Sequence, residues 1–254
     1  MSTRSREIAA WLRQQLAIGA AEGFAVGLSG GLDSAVVARL CQMAAPGKVV
    51  GVIMPCHSAA ADEEDARAVA DHFGLAVMRV DLAPAYDRLA ADVTASFAEA
   101  ASEASRLRDG DGRHRVSMAN LKARLRMSTL YFVANSIGYL VAGTGNRSEL
   151  MLGYFTKYGD GGVDLLPIGM LLKGEVRSLA RELDVPEALI EKPPSAGLWP
   201  GQTDEQEMGF TYEDLDRYVM QGPEAVPPAL AMRIERLVRA SEHKRALAPI
   251  PELD

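Results

Sequence analysis

The chain has 254 residues, 48% hydrophobic and 24% charged, with a formal net charge of −7. That length and balance describe a globular protein with a full core, expected as one domain over residues 1–254. The acidic balance disfavours a long nucleic-acid interface, which needs clustered Lys and Arg, and no apolar run is long enough for a membrane span.

Met1 to Gln15 is polar and charged, without the apolar core of a secretory signal, so the expected location is the cytoplasm. Ile8, Trp11, Leu12, Gln15 and Leu16 recur at helical spacing and predict an amphipathic helix from Ser5 to Ile18. Gly23-Phe24-Ala25-Val26 reads as a short apolar strand, and Ala35 to Cys41 as a buried helix. Between them runs Gly27-Leu28-Ser29-Gly30-Gly31-Leu32-Asp33-Ser34. A glycine-rich turn from strand into helix leaves backbone N–H groups pointing outward, backed by the positive end of the helix dipole, and so forms an anion-binding nest. Ser29 and Ser34 add hydroxyls, whereas Asp33 places a carboxylate where a bound phosphate repels one. The conflict resolves if a divalent cation sits between them. Neither Gly-x-x-x-x-Gly-Lys-Ser/Thr nor Gly-x-Gly-x-x-Gly is present here, so the kinase-type and dinucleotide-type loops are poor matches.

Lys48 to Met54 reads as a second apolar strand, followed by a helix from Asp62 to about Phe73 with acids at its positive end and Gly74 as its stop. Leu75 to Val80 is a third strand. Pro84 to about Ala104 reads as a helix, Arg106 to Arg115 as an exposed loop, and Asn120 to Ile137 as a long helix with Leu121, Leu125, Leu130, Phe132 and Val133 at helical spacing. Tyr139 to Gly143 is a fourth strand. Strands alternating with helices predict an α/β fold, an open parallel sheet with helices on both faces. In such a sheet ligands bind beyond the carboxyl ends of the strands, which places the residues after Val26, Met54, Val80 and Ala142 at one rim. Cys41 and Cys56 have no metal or redox spacing and read as buried thiols.

Thr144 and Glu149 leave the fourth strand at that rim. Glu149 is either a second metal ligand beside Asp33 or a solvated acid near a helix start. Lys157-Tyr158-Gly159-Asp160-Gly161-Gly162 is too glycine-rich for an element interior and reads as a mobile loop. Lys122 and Arg124 read as the solvated face of the long helix or as ligand contacts, and His243 with Lys244 as surface residues lying past the apolar Ile234, Leu237 and Val238. Lys173 near a helix start opposes the dipole and suggests an anionic partner. Ser195 to Thr203 is either a Pro/Gly-rich linker or a closing lid.

The Gly27–Ser34 loop resembles the pyrophosphate loop of the N-type ATP pyrophosphatases. Three further runs, Gly143-Thr144 with Glu149, Phe155 to Gly162, and Asp164-Leu165-Leu166-Pro167, are similar to ammonia-dependent NAD synthetases. So are Lys122-Ala123-Arg124, Lys173, Lys192 to Ala196, Asp204-Glu205 before Gly209-Phe210, and Glu242 to Arg245. The resemblance implies an adenine nucleotide alpha hydrolase-like, Rossmann-like fold, and a ligase that uses ATP and ammonia to amidate nicotinate adenine dinucleotide. The products are NAD, AMP and pyrophosphate, formed through an acyl adenylate. It further implies ATP contacts from Gly27, Leu28, Ser29, Gly30, Gly31, Leu32, Asp33, Ser34, Thr144, Lys173 and Ser195, and Mg²⁺ held by Asp33 and Glu149. Contacts to the deamidated dinucleotide fall to Arg124, Lys157, Asp164, His243 and Lys244. The implied catalytic groups are Asp33, Lys173 and Asp164, the last as proton acceptor, and the implied assembly is a homodimer. Many bacterial members carry Asp-His-Ala-Ala between the Thr and the Glu, whereas this chain has Gly145-Asn146-Arg147-Ser148, like other branches of the family. Only a helix precedes Gly23, so no glutaminase domain is expected, and the ammonia is expected free or from a separate protein. The rival readings are a tRNA-modifying ATP pyrophosphatase and a non-enzymatic nucleotide sensor on the same scaffold.

Overall fold

A computed structural model describes residues 3–99, 112–195, 197 and 203–251. Helix α1 (Thr3–Ile18) leads into β1 (Gly23–Gly27), α2 (Leu32–Ala44), β2 (Val49–Ile53), α3 (Ala60–Phe73) and β3 (Ala76–Arg79). Then come α4 (Ala83–Glu99), α5 (Gly112–Ser136), β4 (Tyr139–Val141) and α6 (Arg147–Leu152). Helices α7 (Lys173–Glu182), α8 (Glu187–Ile190), α9 (Asp204–Met208), α10 (Tyr212–Gln221) and α11 (Pro228–Ala240) follow, and a 3₁₀ turn spans Glu242–Lys244.

The strands form one parallel sheet in the order β3-β2-β1-β4. Side chains alternate along each strand, so one apolar sequence feeds two cores. Phe24, Val26, Val49 and Ile53 pack with α1, α2, α3, α7 and α8, whereas Ala25, Val50, Val52 and Val141 pack with Tyr86 of α4 and with Leu130, Val133 and Ala134 of α5. A third cluster joins Leu152 of α6 to Met208, Phe210, Tyr212, Leu215 and Ile234. The chain moves outward from β1 through β2 to β3, then returns to the far side of β1 as β4. The loops after β1 and β4 therefore diverge, and a crevice opens at this switch point.

Three expectations change. Strand β3 lies at the sheet edge with every side chain exposed, so the helices cover both faces of the sheet but not this strand. Helix α5 begins at Gly112, which makes 112–115 helical, while the rest of the expected 106–115 loop lies outside the described residues. Phe132, expected on the packed face of that helix, is 75% exposed. Both cysteines are buried, as read, and burial pushes the Cys41 thiol pKa up. Among the described residues no helix is long and apolar enough to cross a membrane.

Candidate active site

The switch-point crevice is a cavity of about 490 Å³, the size of a small-molecule pocket. Its floor is the loop between β1 and α2. Gly30 has φ +75°, and a Cβ there meets the Asp62 carbonyl, so the turn admits only glycine. The Ser34 hydroxyl donates to the Gly31 carbonyl at 2.9 Å, and Gly31 N–H donates to Ser29 Oγ at 3.2 Å, which fixes both hydroxyls inside the turn. Among the described residues no side chain caps the start of α2, so its first N–H groups remain available to an anion.

Beside this floor, Asp33 of α2, Glu149 of α6 and Lys173 of α7 converge. Lys173 is buried and its Nζ donates to Asp33 Oδ2, with Glu149 Oε1 at 3.7 Å. Burial works to lower the Lys173 pKa, but Asp33 and Glu149 together overcome it and hold the amine charged. Burial, then the neighbouring Asp33 charge, pushes the Glu149 pKa up, and Lys173 offsets part of that rise. The two carboxylates are placed by Asn146. Its side chain caps α6 by accepting from Glu149 N at 3.0 Å, Glu149 Oε2 accepts from Asn146 N at 3.2 Å, and Asn146 Nδ2 donates to Asp33 Oδ1 at 3.3 Å. Asn146 is fully buried. The Gly-Asn-Arg-Ser departure thus builds the rim, and the Asn-x-x-Glu spacing of a capping box was its signal in the sequence. Lys173 is positioned in turn, because its N–H donates to Ser148 Oγ at 3.1 Å, and Ser148 Oγ donates to Asp216 Oδ1 at 3.1 Å. That relay spans α6, α7 and α10 and leaves no local sequence signal.

This donor set fits Mg²⁺. Two crowded, desolvated carboxylates share one amine, and Asp204 Oδ1 nearby is buried without a hydrogen-bond partner among the described residues. Among the described residues no group of three or more potential ligands lies close enough for an all-protein metal cage. Two carboxylates completed by phosphate oxygens and water is the usual arrangement for Mg²⁺.

The profile of the NAD synthase family matches residues 4–248. The chain belongs to the NAD synthase family. It is 47% identical to the NH3-dependent NAD+ synthetase of Carboxydothermus hydrogenoformans over 98% of this chain and 97% of that relative. Among solved structures, the NMN synthetase of Francisella tularensis superposes with a TM-score of 0.87 at 36% identity over the whole of both chains. The NH3-dependent NAD synthetase of Campylobacter jejuni superposes with a TM-score of 0.75 at 27% identity, over 99% of this chain and 100% of that one.

Within this family fold the expected residues fall into three places. Gly27 to Ser34, Thr144, Glu149, Lys173 and Ser195 all line the cavity. Arg124, Lys157 and His243 are linked to one another next to Lys244: Arg124 Nη2 donates to the Lys157 carbonyl at 3.2 Å and Lys157 Nζ donates to the His243 carbonyl. Lys244 Nζ donates to the Gly153 and Phe155 carbonyls at 2.7 Å each, and of these four it alone lines the cavity. Asp164 lies apart from the cavity wall, where Oδ1 accepts from Tyr131 OH at 2.8 Å and Oδ2 accepts from Val141 N at 2.8 Å. The expected mobile run after Thr156 carries its own bonds: Thr156 N donates to Asp160 Oδ1 at 2.9 Å, and Thr156 Oγ1 donates to Asn120 Oδ1 at 2.8 Å. Lys192, which leads toward Ser195, donates to Asp62 at 2.9 Å, to Asp65 at 2.6 Å and to the Gly30 carbonyl at 3.3 Å. It ties that segment to the nest. Of the possible lid at 195–203, residues 196, 198–202 lie outside the described residues.

Proposed function

We propose that this chain is a cytoplasmic, homodimeric, ammonia-dependent NAD synthetase that amidates nicotinate adenine dinucleotide with ATP and Mg²⁺. The observation that carries the reading is the convergence of Asp33, Glu149 and Lys173 beside an uncapped phosphate nest. A carboxylate does not react with ammonia directly, because its leaving group is oxide. Attack of the nicotinate carboxylate on the α-phosphorus of ATP forms an acyl adenylate, expels pyrophosphate and leaves AMP as the next leaving group. The first step calls mainly for positioning and charge neutralisation. Nest N–H groups and Lys173 take up charge that grows on the departing pyrophosphate. Asp33 and Glu149 hold Mg²⁺, which when bound neutralises phosphate charge. The apolar wall of Ala119, Ala123, Met127 and Leu130 on α5 suits the adenosine, and keeps water from the adenylate. Arg124, Lys157, His243 and Lys244 brace the end that receives the dinucleotide. Asp164, through Tyr131 and Val141, supports β4 under that end and takes the proton from the incoming ammonia only if its contacts open.

The test is turnover with ATP, Mg²⁺, ammonium and the dinucleotide, omitting each in turn and separating products by chromatography. AMP and pyrophosphate are expected in equal amounts. ADP and phosphate in their place overturn the reading. The likeness to an NMN synthetase supports a second acceptor, the acid counterpart of NMN, and the same assay run with that acid shows which one this pocket prefers.

A further inference from the structure

Five cationic side chains line the cavity: Arg126, Lys173, Arg177, Lys192 and Lys244. Four are already engaged within the chain. Arg126 donates to the Met54 carbonyl and to Ser58 Oγ, both at 3.1 Å, Lys173 is held by Asp33 and Glu149, Lys192 by Asp62 and Asp65, and Lys244 by two carbonyls. The other charged side chains of α7 are engaged too: Glu175 with Arg4 at 2.9 Å, Arg181 with Glu191 at 2.8 Å, and Glu182 with Ser5 at 2.7 Å. Arg177 is the exception, with no hydrogen bond or ion pair to any described residue, although seven acids line the same cavity. It stands one helical turn beyond Lys173 and on the same face. Helix α7 packs on α2, whose uncapped start is the nest.

We propose that Arg177 is a catalytic residue that grips the β- and γ-phosphates of ATP and the pyrophosphate they become. An Arg that faces a cavity without an internal acid has its guanidinium fork ready for a bidentate phosphate contact, a geometry Lys does not reproduce. The division of labour follows. Lys173 is tied to the carboxylates, so it meets phosphate only from a fixed point. Arg177 carries an unspent charge, and its contact strengthens as negative charge moves onto the leaving group.

The inference rests on the ATP-to-AMP reading above, and the experiment keeps the two apart. Parent, Arg177→Gln and Arg177→Lys are compared by pyrophosphate titration in excess Mg²⁺ and by AMP release. Arg177→Ala is assayed with and without added guanidinium. Arg177 is partly exposed, so all three variants are expected to melt with the parent. Arg177→Gln is expected to bind pyrophosphate about tenfold more weakly and to lose about 10²-fold in kcat/KM for ATP. Lys is expected to restore part of that loss, and guanidinium to restore part of the Ala variant. If Arg177→Gln binds pyrophosphate and releases AMP as the parent does, or if guanidinium rescues nothing, the assignment is wrong. If the parent binds pyrophosphate through Arg177 but makes no AMP, the proposed function fails and this contact stands.

Discussion

At the scale of single residues the site is a contest for two carboxylates. Lys173 holds Asp33 and Glu149 in a desolvated corner, which is the position a divalent cation also needs. Removing the amine leaves buried charge uncompensated. Lys173→Met is therefore expected to lose about 3–5 kcal/mol in denaturant melts, and Mg²⁺ should restore more stability to that variant than it adds to the parent. Glu149→Gln goes the other way. Its amide oxygen can keep the bond from Asn146 N, so the cap survives, while the crowded charge disappears. The sign follows from the raised Glu149 pKa. A carboxyl whose folded pKa is raised binds its proton more tightly in the native state, so the parent loses stability as pH climbs from the ordinary carboxylate range through that raised value. Glu149→Gln should escape this loss and melt at or above the parent at alkaline pH, while Mg²⁺-dependent AMP formation falls about 10²-fold. An alkaline melting point below the parent, or near-normal turnover, contradicts the assignment. Some of this was legible in the sequence. The nest and Asp33 were readable because glycine and acid at a strand-to-helix turn have one economical explanation, whereas Glu149 alone reads equally as a solvated acid and gains its role only from the family resemblance. The Ser148–Asp216 relay and Arg177 were not. The relay joins residues far apart in the chain, and Arg177 has the sequence pattern of any solvated arginine on a helix.

Helix α1 was legible from its periodicity, because one buried face imposes it, β1 and β2 from apolar runs that burial on both faces requires, and α3 from the acids at its start and the Gly74 stop. The start of α5 was not legible, since Gly112-Arg113-His114-Arg115 has turn composition and no apolar periodicity. The junction of α6 with the C-terminal helices is set by Gly153. It ends α6 in the left-handed region at φ +67°, and its Cβ position is taken by Ser241. Its carbonyl also accepts from Lys244. Gly153→Ala adds backbone strain and overpacking at once, so a loss of about 1–3 kcal/mol is expected in thermal or denaturant melts. Pushing Ser241 away also moves the Glu242–Lys244 turn, so KM for the dinucleotide is expected to rise more than kcat falls. A variant with parental stability and unchanged KM would show that this junction does not support the substrate end.

For the whole molecule, strand alternation was enough to foresee the parallel sheet and its rim, yet not which elements lie bare, because exposure depends on what covers them. Several large apolar side chains stay exposed on β3, α4 and α5: Val77, Met78, Leu89, Val93, Val116 and Phe132. Leu89 and Val93 are one turn apart on α4, and α4 packs beside α5. Scattered apolar residues need no explanation, but those carried by adjoining helices suit an interface between copies. In the proposed homodimer, α4 and α5 of one copy meet the same helices of the next. Each such side chain adds about 1.5–3 kcal/mol when fully buried, so a charge placed among them should be decisive. Phe132 is 75% exposed within one chain, and Phe132→Asp therefore leaves the monomer fold intact. Sedimentation velocity is expected to show the parent as a dimer and both Phe132→Asp and Val93→Asp as folded monomers with unchanged circular dichroism. A parent that sediments as a monomer removes the homodimer, and variants that remain dimeric place the interface on another face.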